Sequence, residues 1–367
     1  MNVKKNLIVS AVCTAIALGA GYGIGCTSAN PNGSAPAAVQ TAFTDNSFEY
    51  WTDNSQAKQI LHDFVKNALD QNSKGYIPPE NRVAVFDMDG TLVSETNAYY
   101  LEWMMYLYRV LEDPAYQAPE EIKQYTEEVL KPAIFSNSID DEMDAKYSQY
   151  QAKVYEGMNL EEYEKYVQDF LKHPVNGQSG ITYAESFYMP MRNVVDFLQS
   201  NGFSVYVVSG ADRLTTRAAV CQELGVPRDH IIASDTALVA GKQNDADGEF
   251  YTFEAGDQVV RSDDLVIKNL KMNKVSAIAK EIGVQPVLAF GNSSGDESML
   301  TYTISNNKYP AEAFILMCDD LERDHGNLEK AEKVKKMAEK DGFNAVSMKN
   351  DFKLIYPEKA KMAEITK

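Results

Sequence analysis

The segment from Val83 to Leu92 constrains the fold more than any other part of this 367-residue chain. Val83 to Phe86 are a run of β-branched and aromatic residues, which is typical of a buried strand. Asp87 and Asp89 follow directly, and alternation along an extended chain points both side chains the same way. The strand thus delivers two carboxylates to its carboxyl end, which is where open α/β sheets bind their ligands.

A pair of carboxylates with this spacing has a chemical use. One carboxylate can attack a phosphoryl group and form an aspartyl-phosphate, which splits one difficult displacement into two easier steps. The second carboxyl can protonate the leaving alkoxide and then deprotonate the attacking water. Gly90 permits a sharp turn after the acids, and Thr91 adds a hydroxyl. An acidic turn that follows a strand by chance is the alternative interpretation.

The residues Asp-Met-Asp-Gly-Thr (87–91) resemble the first motif of the haloacid dehalogenase (HAD) superfamily, Asp-x-Asp-Gly-Thr. The resemblance implies a doubly wound, mostly parallel sheet with an inserted helical cap. It implies Asp87 as nucleophile, Asp89 as general acid and base, and Thr91 as a phosphate ligand. The activity it implies is that of a phosphoric monoester hydrolase with Mg²⁺ as cofactor.

Two further motifs follow in the order of the family. Ser209 and Gly210 come after an apolar run (204–208) and resemble the second motif, in which a hydroxyl binds the phosphoryl oxygens. A helix N-cap is the alternative role of Ser209. Lys274 begins a short amphipathic helix and resembles the third-motif lysine, which binds phosphate and screens the nucleophile. Lys268 and Lys271 compete with Lys274 for this role.

The fourth motif departs from the family pattern. An apolar run ending at Phe290 precedes Gly-Asn-Ser-Ser-Gly-Asp, where Gly-Asp-x-x-x-Asp is usual. Asp296 fits, but Asn292 replaces the first acid. The implied metal ligands are therefore Asp87, Asp89, Asn292 and Asp296, and an amide oxygen can coordinate Mg²⁺ without supplying charge. Two alternatives follow: a catalytically weak protein that binds a phosphorylated ligand, and a phosphotransferase or mutase of the same fold.

Roughly 90 residues between the first two motifs predict a helical cap, because the segment is too long for a loop and lacks strand alternation. Its helical patterns cover 95–111, 118–131, 138–157 and 159–173. The protein also loosely resembles phosphoserine and phosphorylcholine phosphatases, and Glu95, Tyr99 and Trp103 are candidate substrate contacts. Glu95 would bind a substrate amine or cap a helix, whereas the aromatic rings would bind a cationic headgroup or only pack in the cap.

The N-terminus is expected to be a targeting segment. Lys4 and Lys5 precede an apolar stretch, Leu7 to Ala20, that is short for a membrane span. Gly23 to Cys26 resemble a bacterial lipobox, which predicts lipidation at Cys26 and an exported protein of the periplasm or cell envelope. An ordinary signal-peptidase site around residues 27–29 and an uncleaved anchor are the alternatives.

These patterns predict five segments and exclude some functions. We expect a signal segment at 1–26, a flexible tether at 27–50, a core domain at 51–93 and 186–367, and a cap domain at 94–185. A net charge of −18 argues against a general nucleic-acid binder, which needs a basic face. The expected partner is a small phosphomonoester, and the sequence predicts no oligomeric state.

Two other patterns carry weaker predictions. Of the four cysteines, Cys221 and Cys318 lie in the body of the chain and are expected to be small buried hydrophobes, with a bridge between them as the alternative. Residues 243–254 place acids at some calcium-loop positions but lack flanking helical patterns. They predict a surface hairpin, with a calcium site as the alternative.

Overall fold

The computed structural model describes residues 42–45, 48–95 and 100–367. Thr41–Lys367 form one structural unit. The predicted signal segment, most of the predicted tether and the candidate residue Tyr99 lie outside the described residues.

The described strands alternate with helices along most of the chain. The strands are β1 (Val83–Phe86), β2 (Gln178–Ser179), β3 (Ser204–Asp212), β4 (Ile231–Ala240), β5 (Val259–Ile267), β6 (Leu288–Gly291), β7 (Glu312–Met317), β8 (Asn344–Ser347) and β9 (Lys361–Met362). The α-helices are α1 (Gln56–Leu69), α2 (Leu101–Leu111), α3 (Glu120–Tyr125), α4 (Lys131–Ser136), α5 (Asp141–Val154), α6 (Leu160–Phe170), α7 (Met189–Ser200), α8 (Arg213–Leu224), α9 (Met272–Glu281), α10 (Glu297–Ile304), α11 (Leu328–Asp341) and α12 (Met348–Asp351).

Seven strands form one sheet in the order β5-β4-β3-β1-β6-β7-β8. The neighbours pair in parallel except β4 and β5, which are antiparallel. After β1, the chain adds β3 and β4 on one side of β1, and it then adds β6, β7 and β8 on the other side. β1 therefore lies where the strand order reverses, which is where doubly wound sheets bind their ligands. The predicted α/β fold with a mostly parallel sheet is confirmed.

The central strands are buried on both faces, which explains their continuous apolar sequences. Ala84 and Phe86 of β1 belong to one hydrophobic cluster, and Val83 and Val85 belong to another. The first cluster includes residues of α1 and α7, and the second includes residues of α9, α10 and α11. Helices thus cover both faces of the sheet and fix the direction of β1.

The segment between β1 and β3 is largely helical. It contains α2 to α7, with a π-helical turn at Thr126–Leu130 between α3 and α4. Most of these helices fall within the patterns found in the sequence, and α5 packs on β5 while α6 packs on α8. The limits of the predicted cap and core domains stay a prediction.

Three further sequence patterns have a defined place. Cys221 and Cys318 are free cysteines, so the alternative of a bridge between them is not realised. Residues 243–254 lie in the connection between the antiparallel strands β4 and β5, as expected for a hairpin. Within the described ranges, no helix is both long and apolar enough to cross a membrane.

Candidate active site

Asp87 and Asp89 lie directly after β1, at the carboxyl edge of the sheet. The amide of Asp87 donates to the carbonyl of Phe290 on β6 at 2.9 Å, so this residue still follows the line of the strand. Gly90 then turns the chain with φ = 80°, a conformation that side chains other than glycine rarely adopt. The Thr91 hydroxyl donates to Asp87 Oδ2 at 3.4 Å. The turn therefore holds both acids, buried, at the switch point of the sheet.

Lys274 connects the first and fourth motifs. Its Nζ lies 2.6 Å from Asp87 Oδ1 and 2.7 Å from Asp296 Oδ1, and its side chain is buried. Burial disfavours the ammonium, but Asp296 and Asp87 outweigh this effect and raise the pKa of Lys274. Lys274 is therefore a cation that favours the ionised form of Asp87, although burial and Asp296 outweigh it and raise the pKa of Asp87 to about 7. Of the competing lysines, Lys268 donates to Ser148 instead.

Asp296 positions Lys274 and the loop after β6. Its Oδ1 accepts from Lys274, whereas its Oδ2 accepts from the amides of Asn292 and Ser293, each at 3.1 Å, and from the Ser293 hydroxyl at 3.2 Å. Both carboxylate oxygens are thus engaged by protein donors. This arrangement favours an orienting role for Asp296 over direct metal binding, and its place among the ligands stays a prediction.

Asn292 packs against the turn after β1. A Cβ atom added to Gly90 would lie 1.9 Å from Asn292 Nδ2 and 2.5 Å from Glu95 Cδ. The Asn292 amide and the Glu95 carboxylate therefore lie side by side over Gly90, and a side chain at position 90 would displace both. The buried Glu95 also forms an ion pair with the partly exposed Lys330 of α11. The sequence predicts that Glu95 binds a substrate amine or caps a helix, and it does not predict this ion pair with Lys330.

Ser209 and Gly210 lie near the end of β3, beside β1. In the register of the two strands, Phe86 pairs with Val207, which places Ser209 at the same edge of the sheet as Asp87. Ser209 Oγ accepts from the amide of Ala211 at 3.1 Å. The N-cap of α8 is Asp212, whose side chain accepts from two amides of the first turn. The alternative role of Ser209 as the helix cap is therefore wrong.

Asp89 is the least satisfied acid of the site. Its Oδ1 is buried and has no hydrogen-bond partner within residues 42–45, 48–95 and 100–367. Burial, together with the nearby carboxylates of Asp87, Glu102 and Glu95, raises the pKa of Asp89 well above its usual range. A carboxyl in this setting holds its proton near neutral pH and can donate it, which is the property of a general acid.

The donor set can be tested for Mg²⁺ from these contacts. Among the described residues, no three or more His, Cys, Asp or Glu side chains form a cluster that could hold a metal ion. The groups at the turn are nevertheless oxygen donors, and the buried Asp89 Oδ1 has no hydrogen-bond partner in the described part of the chain. Carboxylate and carbonyl oxygens are the ligands that Mg²⁺ prefers. Asp87, Asp89 and Asn292 therefore fit Mg²⁺ chemically, with a low carboxylate count.

Of the two aromatic candidates, Trp103 lies within the described residues and Tyr99 does not. Trp103 is half-buried and stacks edge-on with Tyr100 and Tyr147, at ring distances of 4.7 and 5.8 Å.

Residues that the sequence did not single out also surround the site: Lys330, Glu102, Tyr147, Asp212 and Arg261. Lys330 is one of many lysines on α11, and Arg261 lies in β5 among polar residues, so neither has a sequence signal that marks it.

Comparison with known proteins shows the family of the chain. The family of haloacid dehalogenase-like hydrolases matches residues 84–301, more than half of the chain. No curated protein gave a significant match.

Among solved structures, a protein of unknown function from Bordetella pertussis has 14% identity and a TM-score of 0.47, covering 72% of this chain and 98% of its own. A conserved protein of unknown function from Anaerococcus prevotii has 13% identity and a TM-score of 0.48, covering 84% and 97%. A phosphoserine phosphohydrolase-like protein from Francisella tularensis has 16% identity and a TM-score of 0.38, covering 72% and 94%. On the family match, the chain belongs to the haloacid dehalogenase-like hydrolases.

Proposed function

We propose that the protein hydrolyses small phosphomonoesters through an aspartyl-phosphate on Asp87. One observation carries the proposal: Lys274 Nζ lies 2.6 Å from Asp87 Oδ1 and favours the carboxylate, whereas the pKa of the neighbouring, buried Asp89 is raised well above its usual range. Burial and Asp296 raise the pKa of Asp87 to about 7, but its contact with Lys274 distinguishes it from Asp89, which suits Asp87 to attack and Asp89 to donate a proton. Enzymes that use two carboxyl groups in different roles depend on such a difference in environment.

The residues suggest the following steps. The Asp87 carboxylate attacks phosphorus, the bond from phosphorus to the ester oxygen breaks, and the Asp89 proton passes to the leaving alkoxide. Asp89, now ionised, takes a proton from water, whose oxygen attacks the aspartyl-phosphate. The Asp87–phosphorus bond breaks, which releases inorganic phosphate and restores Asp87. Asp89 is protonated again, so the cycle closes.

Charge on the phosphoryl group needs donors and cations at the same edge of the sheet. Lys274, the Ser209 hydroxyl, the amide of Gly210 and the Thr91 hydroxyl are the groups proposed to hold its oxygens. Asp87, the carbonyl of Asp89 and Asn292 would hold Mg²⁺, with Asp296 orienting the loop. The ion, when bound, would neutralise phosphoryl charge next to the nucleophile. With a net charge of −18 on the chain, such local devices are required to attract an anion.

Export and membrane anchoring are part of the proposal. Their support is the sequence of residues 1–26, with Lys4, Lys5, the apolar stretch and the lipobox-like Gly23–Cys26. We propose a protein of the periplasm or cell envelope that is tethered through a lipid on Cys26. The tether would leave the sheet and its site free to meet small diffusible phosphate esters.

The test replaces Asp87 by Asn, a near-isosteric change that removes the nucleophile. With Mg²⁺ and a panel of phosphomonoesters, the wild type should release phosphate, and Asp87→Asn should lower turnover by roughly 10³-fold or more. Beryllofluoride should bind the wild type and not the variant. The matched control is Asp264→Asn, an exposed acid on β5, which should leave turnover unchanged.

Other outcomes would select another function. Turnover in Asp87→Asn close to that of the wild type would contradict the aspartyl-phosphate mechanism. Phosphate binding without release of product from any ester would favour the ligand-binding alternative. Transfer of the phosphoryl group to an added alcohol in preference to water would indicate a phosphotransferase.

A further inference from the structure

A narrow cavity is lined in part by Gly210, the residue that follows Ser209 in the proposed phosphate site. Its wall includes Glu102, Tyr147, Asp212 and Lys268, and its space suits a group about the size of one water molecule. The wall therefore joins the end of β3 to helices α2 and α5. A substrate whose phosphoryl group lies at Ser209 would extend its leaving group past Gly210 and into this cavity.

The Tyr147 hydroxyl is the unsatisfied group of the wall. It is buried and has no hydrogen-bond partner in the described part of the chain, although buried polar groups are normally paired. Edge-on contacts with Trp103 and Tyr106, at 5.8 and 5.2 Å between ring centroids, hold the ring in place. Burial and the nearby Glu102 carboxylate raise the pKa of Tyr147 well above its usual range, so the hydroxyl stays protonated.

Glu102 supplies an acceptor next to this hydroxyl. Its Oε1 accepts from the amide of Asp212 at 2.7 Å, which fixes the carboxyl group in the wall. Burial and Asp212 raise the pKa of Glu102 to about 7, an effect that Lys268 opposes. Tyr147 and Glu102 together thus present one donor and one acceptor to whatever occupies the cavity.

Charges of both signs line the cavity. Arg261 binds Asp212 through two nitrogens at 3.1 and 3.0 Å, and Lys268 faces Asp144 at 3.5 Å as well as Glu102. An incoming ammonium would meet Lys268, whereas an incoming carboxylate would meet Glu102. A neutral group that both donates and accepts a hydrogen bond avoids both of these like-charge repulsions.

We propose that this cavity is a subsite for a hydroxyl group on the leaving alcohol, so that the preferred substrates are phosphate esters of diols or polyols. The substrate hydroxyl donates to Glu102 and accepts from Tyr147. This inference rests on the proposed phosphatase function, because it places the phosphoryl group of the same substrate at Ser209.

The test compares three esters that differ in one group: glycerol 3-phosphate, n-propyl phosphate and 3-aminopropyl phosphate. We expect the wild type to have a kcat/KM for glycerol 3-phosphate about tenfold above that for the propyl ester, as a buried hydrogen bond commonly supplies. Tyr147→Phe should remove this preference by lowering kcat/KM for glycerol 3-phosphate to about that for the propyl ester. Tyr155→Phe is the matched control, since this buried tyrosine donates to the carbonyl of Met105 outside the cavity.

A binding measurement separates this inference from the proposed function. Calorimetry on Asp87→Asn, with and without Tyr147→Phe, would measure the affinity for the same esters with Mg²⁺ present. A preference for glycerol 3-phosphate that Tyr147→Phe removes supports the subsite even if no ester is hydrolysed, in which case only the phosphatase proposal fails. Equal affinity for the glycerol and propyl esters, or stronger binding of the aminopropyl ester, would overturn the hydroxyl subsite even if all three are hydrolysed.

Discussion

Replacement of Asn292 by Asp tests the departure of the fourth motif. The side chain of residue 292 is buried beside the Glu95 carboxylate over Gly90, and the unpartnered Asp89 belongs to the same turn. A second unit charge at about 4 Å costs about 4 kcal/mol at an effective dielectric constant near 20. Lys330 and Lys274 offset part of this repulsion, so we expect Asn292→Asp to lose about 1–3 kcal/mol of stability without Mg²⁺.

The same repulsion should favour a cation. A bound Mg²⁺ would relieve the added charge, and each 1.4 kcal/mol corresponds to a factor of about ten in affinity. We therefore expect Mg²⁺ to bind Asn292→Asp roughly ten- to a hundredfold more tightly than the wild type. Urea unfolding without metal would measure the stability, and calorimetric titration would measure the affinity without any need for turnover.

The double variant Glu95→Gln/Asn292→Asp is the control for the charge argument. It restores the number of carboxylates over Gly90 to that of the wild type, so most of the stability lost by Asn292→Asp should return. Lys330 is partly exposed and can turn toward solvent when its partner is neutral. Unchanged stability and unchanged Mg²⁺ affinity in Asn292→Asp would refute the reasoning, because residue 292 would then face neither Glu95 nor the ion.

Two other predictions concern stability and export. Arg261→Met leaves Asp212 buried without its cation and should cost about 3–5 kcal/mol in urea unfolding, whereas Arg228→Met, which breaks the more exposed pair with Glu164, should cost at most about 1 kcal/mol. Equal losses would show that burial of the pair is unimportant. Cys26→Ala should move the mature protein from the membrane to the soluble fraction, and a wild-type protein that is already soluble would contradict the lipid anchor.

The sheet core was predictable because its strands are short, apolar and bounded by polar turns. The runs 83–86, 204–208 and 286–290 correspond to β1, to the first part of β3 and to a region overlapping β6. Parallel strands buried on both faces give continuous apolar sequences, which a single sequence displays clearly. The antiparallel β5 was not predicted as a strand, because Ser262, Asp263 and Asp264 interrupt its apolar residues and one side is exposed.

The site was predictable to the extent that its residues sit at strand ends. Asp87 follows β1, Ser209 lies near the end of β3, and Asp296 follows β6. Because these three strands are neighbours in the sheet, the three side chains come to the same edge. The spacing of Lys274 from the next strand favours it over Lys268 and Lys271, and in the structure Lys274 Nζ lies 2.6 Å from Asp87 Oδ1.

The remaining contacts depend on tertiary packing that a single sequence does not encode locally. Lys330 reaches Glu95 across 235 positions of the chain, and it lies in a helix whose other lysines face solvent. Tyr147 is one of 21 tyrosines in the sequence. That its buried hydroxyl has no hydrogen-bond partner among the described residues follows only from the packing of α2, α5 and β3. Helical spacing predicts which of these residues share a face, but not which of them meet a polar cavity.

Asn292 shows why a departure from a motif has to be considered together with its neighbours. In the sequence alone, Asn292 replaces the carboxylate that the family motif has at this position, which suggests weak metal binding. In the structure, the amide touches the turn that Glu95 also touches, and an acid at position 292 would place a second carboxylate over Gly90. The acid over Gly90 is thus Glu95, paired with Lys330, and not residue 292. Because Glu95 and residue 292 are neighbours, the effects of substitutions at the two positions on stability should not be additive. The double variant Glu95→Gln/Asn292→Asp measures this coupling.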